Sequence, residues 1–165
     1  MNVNPNGYGQ VLVGYLMNNK WDLRYLDLAK HISTWSKDPS TKIGSVAIGK
    51  NGQVLSQGYN GFPRGVIDST ERLNNREKKL ARVVHAEMNV IYNASANGVT
   101  LKGSTLYIHG LPCCSDCAKG VIQVGIKRVV MPKKELNDPA RLRWEESWNK
   151  AKEMFRESGV QWEFI

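Results

Sequence analysis

The sequence predicts one α/β domain built on a mixed sheet. Three observations carry this reading. Asn51-Gly52, a strong hairpin signal, sits between the apolar runs Ile43–Ile48 and Val54–Tyr59, which predicts an antiparallel pair. Ser104–His109, a helix opening at Cys114–Cys117, and Lys127–Met131 form a strand–helix–strand unit, whose short return predicts parallel pairing. Apolar residues at helical spacing flank this set on both sides.

Taken in order, residues 1 to about 20 read as a loosely ordered, peripheral segment. Leu23, Leu26, Leu28-Ala29, Ile32 and Trp35 recur at near-helical spacing, which predicts a helix over 21–36. Asp38-Pro39 closes it, since the residue before proline avoids helical geometry. The hairpin follows, with a two-residue turn of positive φ at both Asn51 and Gly52. Asn60–Gly65 is a glycine- and proline-rich loop. Residues 66–82, with Glu71-Arg72 and Arg76-Glu77-Lys78-Lys79, read as a solvated surface segment with a short helix. A second helix is predicted over 86–96, with His85 at its mouth and Gly98 as its stop. After the strand–helix–strand unit, Leu142, Trp144, Trp148, Ala151, Met154 and Phe155 make an apolar stripe on a helix over 140–157. That spacing assigns the tryptophans to packing. Val160–Ile165 supplies a short last strand. The chain thus divides into a peripheral stretch (1–20), a core (21–131) and a C-terminal helix with a short strand (132–165), all in a single domain of 165 residues.

An apolar fraction of 41% and a charged fraction of 23% are ordinary for a soluble globular protein. No run of about 18 apolar residues is present, so no transmembrane helix is expected. The N-terminus lacks the charged start of a signal peptide. The three cysteines fall within Cys113–Cys117, too close together to staple distant parts of the chain, which fits a reducing, cytoplasmic setting. A net charge of +8 suggests an anionic partner, a nucleotide phosphate or a nucleic acid. The basic residues are dispersed rather than blocked, which weakens the nucleic-acid reading.

The chemistry concentrates in His85-Ala86-Glu87 and Pro112-Cys113-Cys114-Ser115-Asp116-Cys117. Imidazole and thiolate suit zinc, and three such ligands leave its fourth position open to water. Cysteines at a helix start lie near unsatisfied backbone N–H groups, which favour the thiolate. His85, Cys114 and Cys117 are the expected ligands of one catalytic Zn²⁺, and Glu87 the expected proton carrier. A second register exists: counting from Cys113 places Asp116 at the second ligand position. The Cys114 register is preferred because it keeps two soft ligands and leads into the helical run Ala118-Lys119-Gly120-Val121-Ile122.

His-x-Glu followed by Pro-Cys-x-x-Cys resembles the signature of zinc nucleobase deaminases. Ser36-Lys37-Asp38-Pro39-Ser40-Thr41-Lys42-Ile43-Gly44 and Gly58-Tyr59-Asn60-Gly61-Phe62-Pro63-Arg64-Gly65 narrow the resemblance to deoxycytidylate (dCMP) deaminases, over about Trp21 to Met131. The resemblance implies a three-layer α/β/α, cytidine deaminase-like fold, with about five strands in a mixed sheet and helices on both faces. It implies hydrolysis of dCMP to dUMP and ammonia, supplying dUMP for thymidylate synthesis. Glu87 would move protons from a zinc-activated water to N3 and then to the departing amine. Asn60 is expected to orient the substrate, Lys37 with Ser36 to bind the 5′-phosphate, Arg64 to be a weaker alternative for it, and His109 to line the pocket. The resemblance also implies a homo-oligomer, trimer or hexamer, with dCTP and dTTP as effectors, often together with Mg²⁺. No second zinc site of cysteines is expected, since no cysteine lies outside 113–117. Two rival readings remain: a nucleic-acid deaminase acting on tRNA adenosine or single-strand cytidine, and a non-catalytic zinc-binding module that would need a fourth protein ligand.

Overall fold

A computed structural model describes residues 7–133 and 139–165. Five strands form one sheet: β1 (Gly44–Ile48), β2 (Val54–Tyr59), β3 (Thr105–His109), β4 (Arg128–Met131) and β5 (Gln161–Phe164), in the order β2-β1-β3-β4-β5. β1 pairs antiparallel with both β2 and β3, whereas β3–β4 and β4–β5 are parallel. The sheet is therefore mixed, and its sense changes at β3.

Alternation along the strands sorts the side chains into two cores. Val46, Ile48, Tyr107 and Val130 face one side, where they pack on Leu26, Ala29 and Ile32 of α1 (Gly7–Ser33). Ala47, Leu106, Ile108, Val129 and Met131 face the other. There they meet Val90 of α4 (Ala86–Ala96), Val121 of α5 (Ser115–Gln123), and Trp148, Ala151 and Phe155 of α6 (Pro139–Ser158). Two five-residue helices, α2 (Thr70–Asn74) and α3 (Arg76–Leu80), lie between β2 and α4 in the chain. Helices cover both faces, as expected of the three-layer architecture. Trp148 seats α6 on the last strand through edge-on contacts with Trp162 and Phe164.

Two local expectations change. The first helix begins at Gly7 rather than Trp21, so the stretch before residue 21 is helical from residue 7 onward, while the expectation for residues 1–6 lies outside the described residues. The three glycines in the run before Trp21 hid this start, because helix propensity is a weak guide once the chain continues into a packed helix. At the hairpin only Gly52 takes a positive φ, of 81°. Gly52 N–H donates to Gly49 O and Gly49 N–H to Gln53 O, so the turn is longer than two residues, with the register shifting beside it at Ala47/Ile48. A left-handed glycine closing a longer turn meets the twist of the strands as well as a two-residue turn does.

Candidate active site

The site forms at the end of the sheet where β2 and β3 finish and β1 begins. β2 is an edge strand, and α4 is lashed across it. Ser56 Oγ donates to Val90 O at 2.8 Å, Asn89 Nδ2 to Tyr59 O at 2.7 Å, and Asn93 Nδ2 to Gln57 O at 2.8 Å. Side chains of the helix thus satisfy carbonyls that an edge would otherwise expose. A two-hydrogen-bond bridge between Gly61 and Val84 fixes the residue before His85 to the loop after β2.

His85 is the N-cap of α4, and Cys114 the N-cap of α5, so two helix starts converge. His85 Nδ1 lies 3.4 Å from Cys114 Sγ and 3.4 Å from Cys117 Sγ. A tetrahedral zinc with ordinary bond lengths needs an N···S separation of about 3.5 Å. The donor set therefore fits zinc in both chemistry and spacing. Cys114 Sγ also accepts the Cys117 N–H at 3.5 Å. The Cys117 thiol and the His85 ring stabilise the Cys114 thiolate and hold its pKa down at about 4. Cys117, which keeps the proton shared between the two sulfurs, is pushed up. The hydrogen bond to Cys114 pushes His85 up to about 9. The turn itself is braced by α6, where Ser147 Oγ accepts the Ser115 N–H at 2.9 Å.

Glu87 stands in the first turn of α4, only 3% exposed, with Oε2 lacking a hydrogen-bond partner among the described residues. Burial pushes its pKa up to about 7, against the pull of His85. A buried carboxylate with one oxygen unpartnered, beside three metal donors, is poised for proton transfer near neutrality. Cys113 is fully buried in the core, and its thiol is pushed well up by burial, so it behaves as an inert core residue. Asp116 is exposed and ion-paired with Lys119 at 2.7 Å. Among the described residues the metal-binding group consists of His85, Cys114 and Cys117 alone. A purely structural zinc module would need a fourth protein ligand beside these three.

A cavity of about 330 Å³ opens over this cluster, within the range of small-ligand sites. His85, Glu87, Cys114 and Asn60 line it. Asn60 is 5% exposed, and much of its bonding is spent on the chain itself. Oδ1 accepts the Ile43 N–H at 2.8 Å, and Nδ2 donates to Thr41 O at 2.9 Å. One amide hydrogen and one acceptor lone pair are left over.

The other sequence candidates fall elsewhere. Ser36 is buried, its hydroxyl donating to Asn60 O at 2.8 Å and accepting the Asp38 N–H, so it holds the substrate-side loop together. Lys37 is exposed, paired with Asp68 at 2.8 Å, and lines a neighbouring pocket instead. Arg64 bonds Asn93 Oδ1 at 2.6 Å and also lies outside the cavity wall. His109 ends β3, one strand-end away from the zinc turn, and is not part of the cavity wall either.

The cavity residues that were not anticipated include Arg76, Lys79, Arg143 and Trp144. Lys79 corrects the reading of 66–82 as a solvated face. It is 9% exposed, with Nζ bonded to Asp38 Oδ1 at 3.0 Å and Ser40 Oγ at 3.2 Å. Trp144 meets the His85 ring edge-on at 6.1 Å, so the packing role expected of it gives way to a place in the site wall.

His85, Cys114 and Cys117 fit the donor set of a zinc centre, with a buried acid, Glu87, beside it. The family model for the cytidine and deoxycytidylate deaminase zinc-binding region matches residues 19–133, and the chain belongs to this family. The "uncharacterized deaminase in luxG 3′ region" of Aliivibrio fischeri is 37% identical over 145 residues, spanning 88% of this chain and 93% of that protein. A probable deoxycytidylate deaminase of Caenorhabditis elegans is 36% identical over 159 residues, spanning 88% and 79%. The dCMP deaminase of cyanophage S-TIM5, in its apo form, superposes with a TM-score of 0.66 at 25% identity, covering 88% of this chain and 98% of that one. Among the described residues no helix is long and apolar enough to cross a membrane.

Proposed function

We propose that the chain is a zinc-dependent deaminase that hydrolyses dCMP to dUMP and ammonia, supplying dUMP for thymidylate synthesis. The observation that carries this is the single cavity in which His85, Cys114 and Glu87 face Asn60. The relatives named as deoxycytidylate deaminases support the substrate.

His85, Cys114 and Cys117 hold the zinc, which when bound supplies a Lewis acid that lowers the pKa of a water to roughly 7. Glu87 takes a proton from the attacking water and delivers it to N3 of the cytosine ring. It then takes a second proton from the new hydroxyl at C4 and delivers it to the departing amine. One water enters and one ammonia leaves, with Glu87 returned to its starting state. Such shuttling contributes on the order of 10² to 10⁴ in rate. Asn60 offers its remaining donor to a sugar hydroxyl or base edge. Trp144 lines the side of the cavity near His85.

The test is ammonia release from dCMP by protein loaded with one zinc per chain, with Glu87→Gln as the critical variant. The variant is expected to keep zinc and dCMP binding and to lose at least about 10²-fold in turnover. Near-normal turnover would remove Glu87 from this role. Single-stranded DNA and tRNA run alongside test the nucleic-acid reading, which predicts a salt-sensitive affinity. The resemblance extends the proposal to a cytoplasmic homo-oligomer, trimer or hexamer, regulated by dCTP and dTTP with Mg²⁺. Sedimentation with and without each nucleotide checks this.

A further inference from the structure

We infer that Arg76, Lys79 and Arg143 form the clamp for the 5′-phosphate of the substrate nucleotide, with Asp38 as the residue that positions Lys79. The inference rests on the deaminase reading above and adds the group that separates a nucleotide from a nucleoside. All three cations line the same cavity as His85, Glu87 and Cys114. They arrive from two places in the chain. Arg76 and Lys79 are three apart on α3 and so share a helical face, while Arg143 comes from α6.

The charges match a phosphate monoester. Three cations less the Asp38 carboxylate leave two positive charges on the cavity wall, apart from Glu87 beside the metal donors. A phosphate monoester carries about −1.5 to −2 at neutral pH. Lys79 is held nearly buried by Asp38 and Ser40, which costs desolvation and fixes the ammonium in one place. Among the described residues neither arginine has an ion-pair or hydrogen-bond partner of its own, so both guanidinium groups are available for bidentate oxygen contacts. Lys37, by contrast, is already paired with Asp68 in the adjoining pocket. The wall between the two pockets includes the Lys79–Asp38 pair together with Val83, since all three residues line each of them.

The experiment compares dCMP with deoxycytidine, which lacks only the phosphate, on zinc-loaded enzyme. Arg143→Gln and Arg76→Gln are each expected to lower kcat/KM for dCMP about 10- to 100-fold, the range for a charge-assisted contact, while the deoxycytidine value moves less than about threefold. Dissociation constants for dCMP on the Glu87→Gln background should weaken by the same factor, and inorganic phosphate should compete for the unsubstituted site. Lys79→Met tests the third member. If burial makes it fold poorly, the two exposed arginines still decide the matter. Equal losses on both substrates, or an unchanged dCMP value, would overturn the clamp. So would a selective dCMP defect in Lys37→Ala in their place. A parent enzyme that deaminates neither substrate would instead overturn the deaminase reading.

Discussion

A single methyl group at Gly58 should separate the two halves of the active site. Gly58 lies in β2 directly beneath α4, the helix that carries Glu87 and is capped by His85. A Cβ placed there would lie 2.6 Å from Ala86 O and 2.6 Å from Val90 N, both backbone atoms. Ordinary contact begins near 3.4 Å, so α4 must retreat by about 0.8 Å. The helix cannot absorb this by turning a side chain, because the obstacle is its own main chain. Overpacking of this kind costs about 1–3 kcal/mol. At roughly 2–4 °C per kcal/mol for a chain of this size, Tm of Gly58→Ala should fall by about 2–12 °C. A misplacement near 1 Å costs about 10²-fold in catalysis, so kcat should fall by that order with zinc saturating. Gly61 supplies the internal comparison, since a Cβ there meets nothing nearer than the Tyr59 ring at 3.6 Å. Thermal melting and ammonia release on both variants decide it. If Gly58→Ala keeps both its melting temperature and its turnover, the claim that β2 sets the position of Glu87 is wrong.

Three further outcomes are expected. Cys114→Ala and Cys117→Ala should lose stoichiometric zinc by elemental analysis, while Cys113→Ala keeps it, because the Cys113 side chain is buried in the core. Asp22→Ala strips the partner from Arg128, which donates to both carboxylate oxygens at 2.8 and 2.6 Å; denaturant unfolding should show a loss of about 3 kcal/mol, the low end for a broken buried pair, because Arg128 keeps Glu163. Tyr107 donates to Asp22 at 2.6 Å, and burial with that bond pushes its pKa well above the ordinary 10.0. The folded state then keeps a proton that the unfolded chain releases above pH 10, so stability should fall from there upward at up to about 1.4 kcal/mol per pH unit, and Tyr107→Phe should flatten that slope in melts between pH 9.5 and 11.

The parts of the site legible in the sequence are those whose geometry is local. His85 and Glu87 share one helix start, and Cys114 and Cys117 another, so two short motifs report most of the catalytic centre. The strands announced themselves by apolar runs set off by turn signals, and the second and third helices by their ends. What escaped was long-range. Lys79 is buried only because Asp38 lies beside it, 41 positions away. On a five-residue helix its charge run looks the same whether it faces water or a cavity. Trp144 and Trp148 are one helical turn apart and read as a single stripe. Trp148 packs on β5, whereas Trp144, toward the start of α6, lies against His85 in the cavity wall. Lys37 differs in the other direction: its neighbours resemble a substrate segment, yet Ser36 and Asp38 turn inward while Lys37 is exposed and paired with Asp68.

The choice between the two cysteine registers has a backbone cause. Cys114 caps α5 in an extended conformation, φ −76° and ψ 165°. Neighbouring side chains of an extended segment leave it on opposite sides. Cys113 is fully buried and its thiol reaches only the Cys114 carbonyl, whereas the Cys114 sulfur lies 3.4 Å from His85 Nδ1. The cap then brings Cys117, three residues on, back to the same side, and its N–H onto the Cys114 sulfur. A register starting from Cys113 would need a ligand aimed into the core and another on Asp116, which is exposed and engaged by Lys119. The helix start therefore selects the ligand pair. The same logic places His85, the cap of α4, where its ring meets both sulfurs. Because β3 delivers one cap and β2 braces the other, the metal centre is tied to the strand ends rather than to any mobile loop, and Glu87, in the first turn of α4, is held to the same frame.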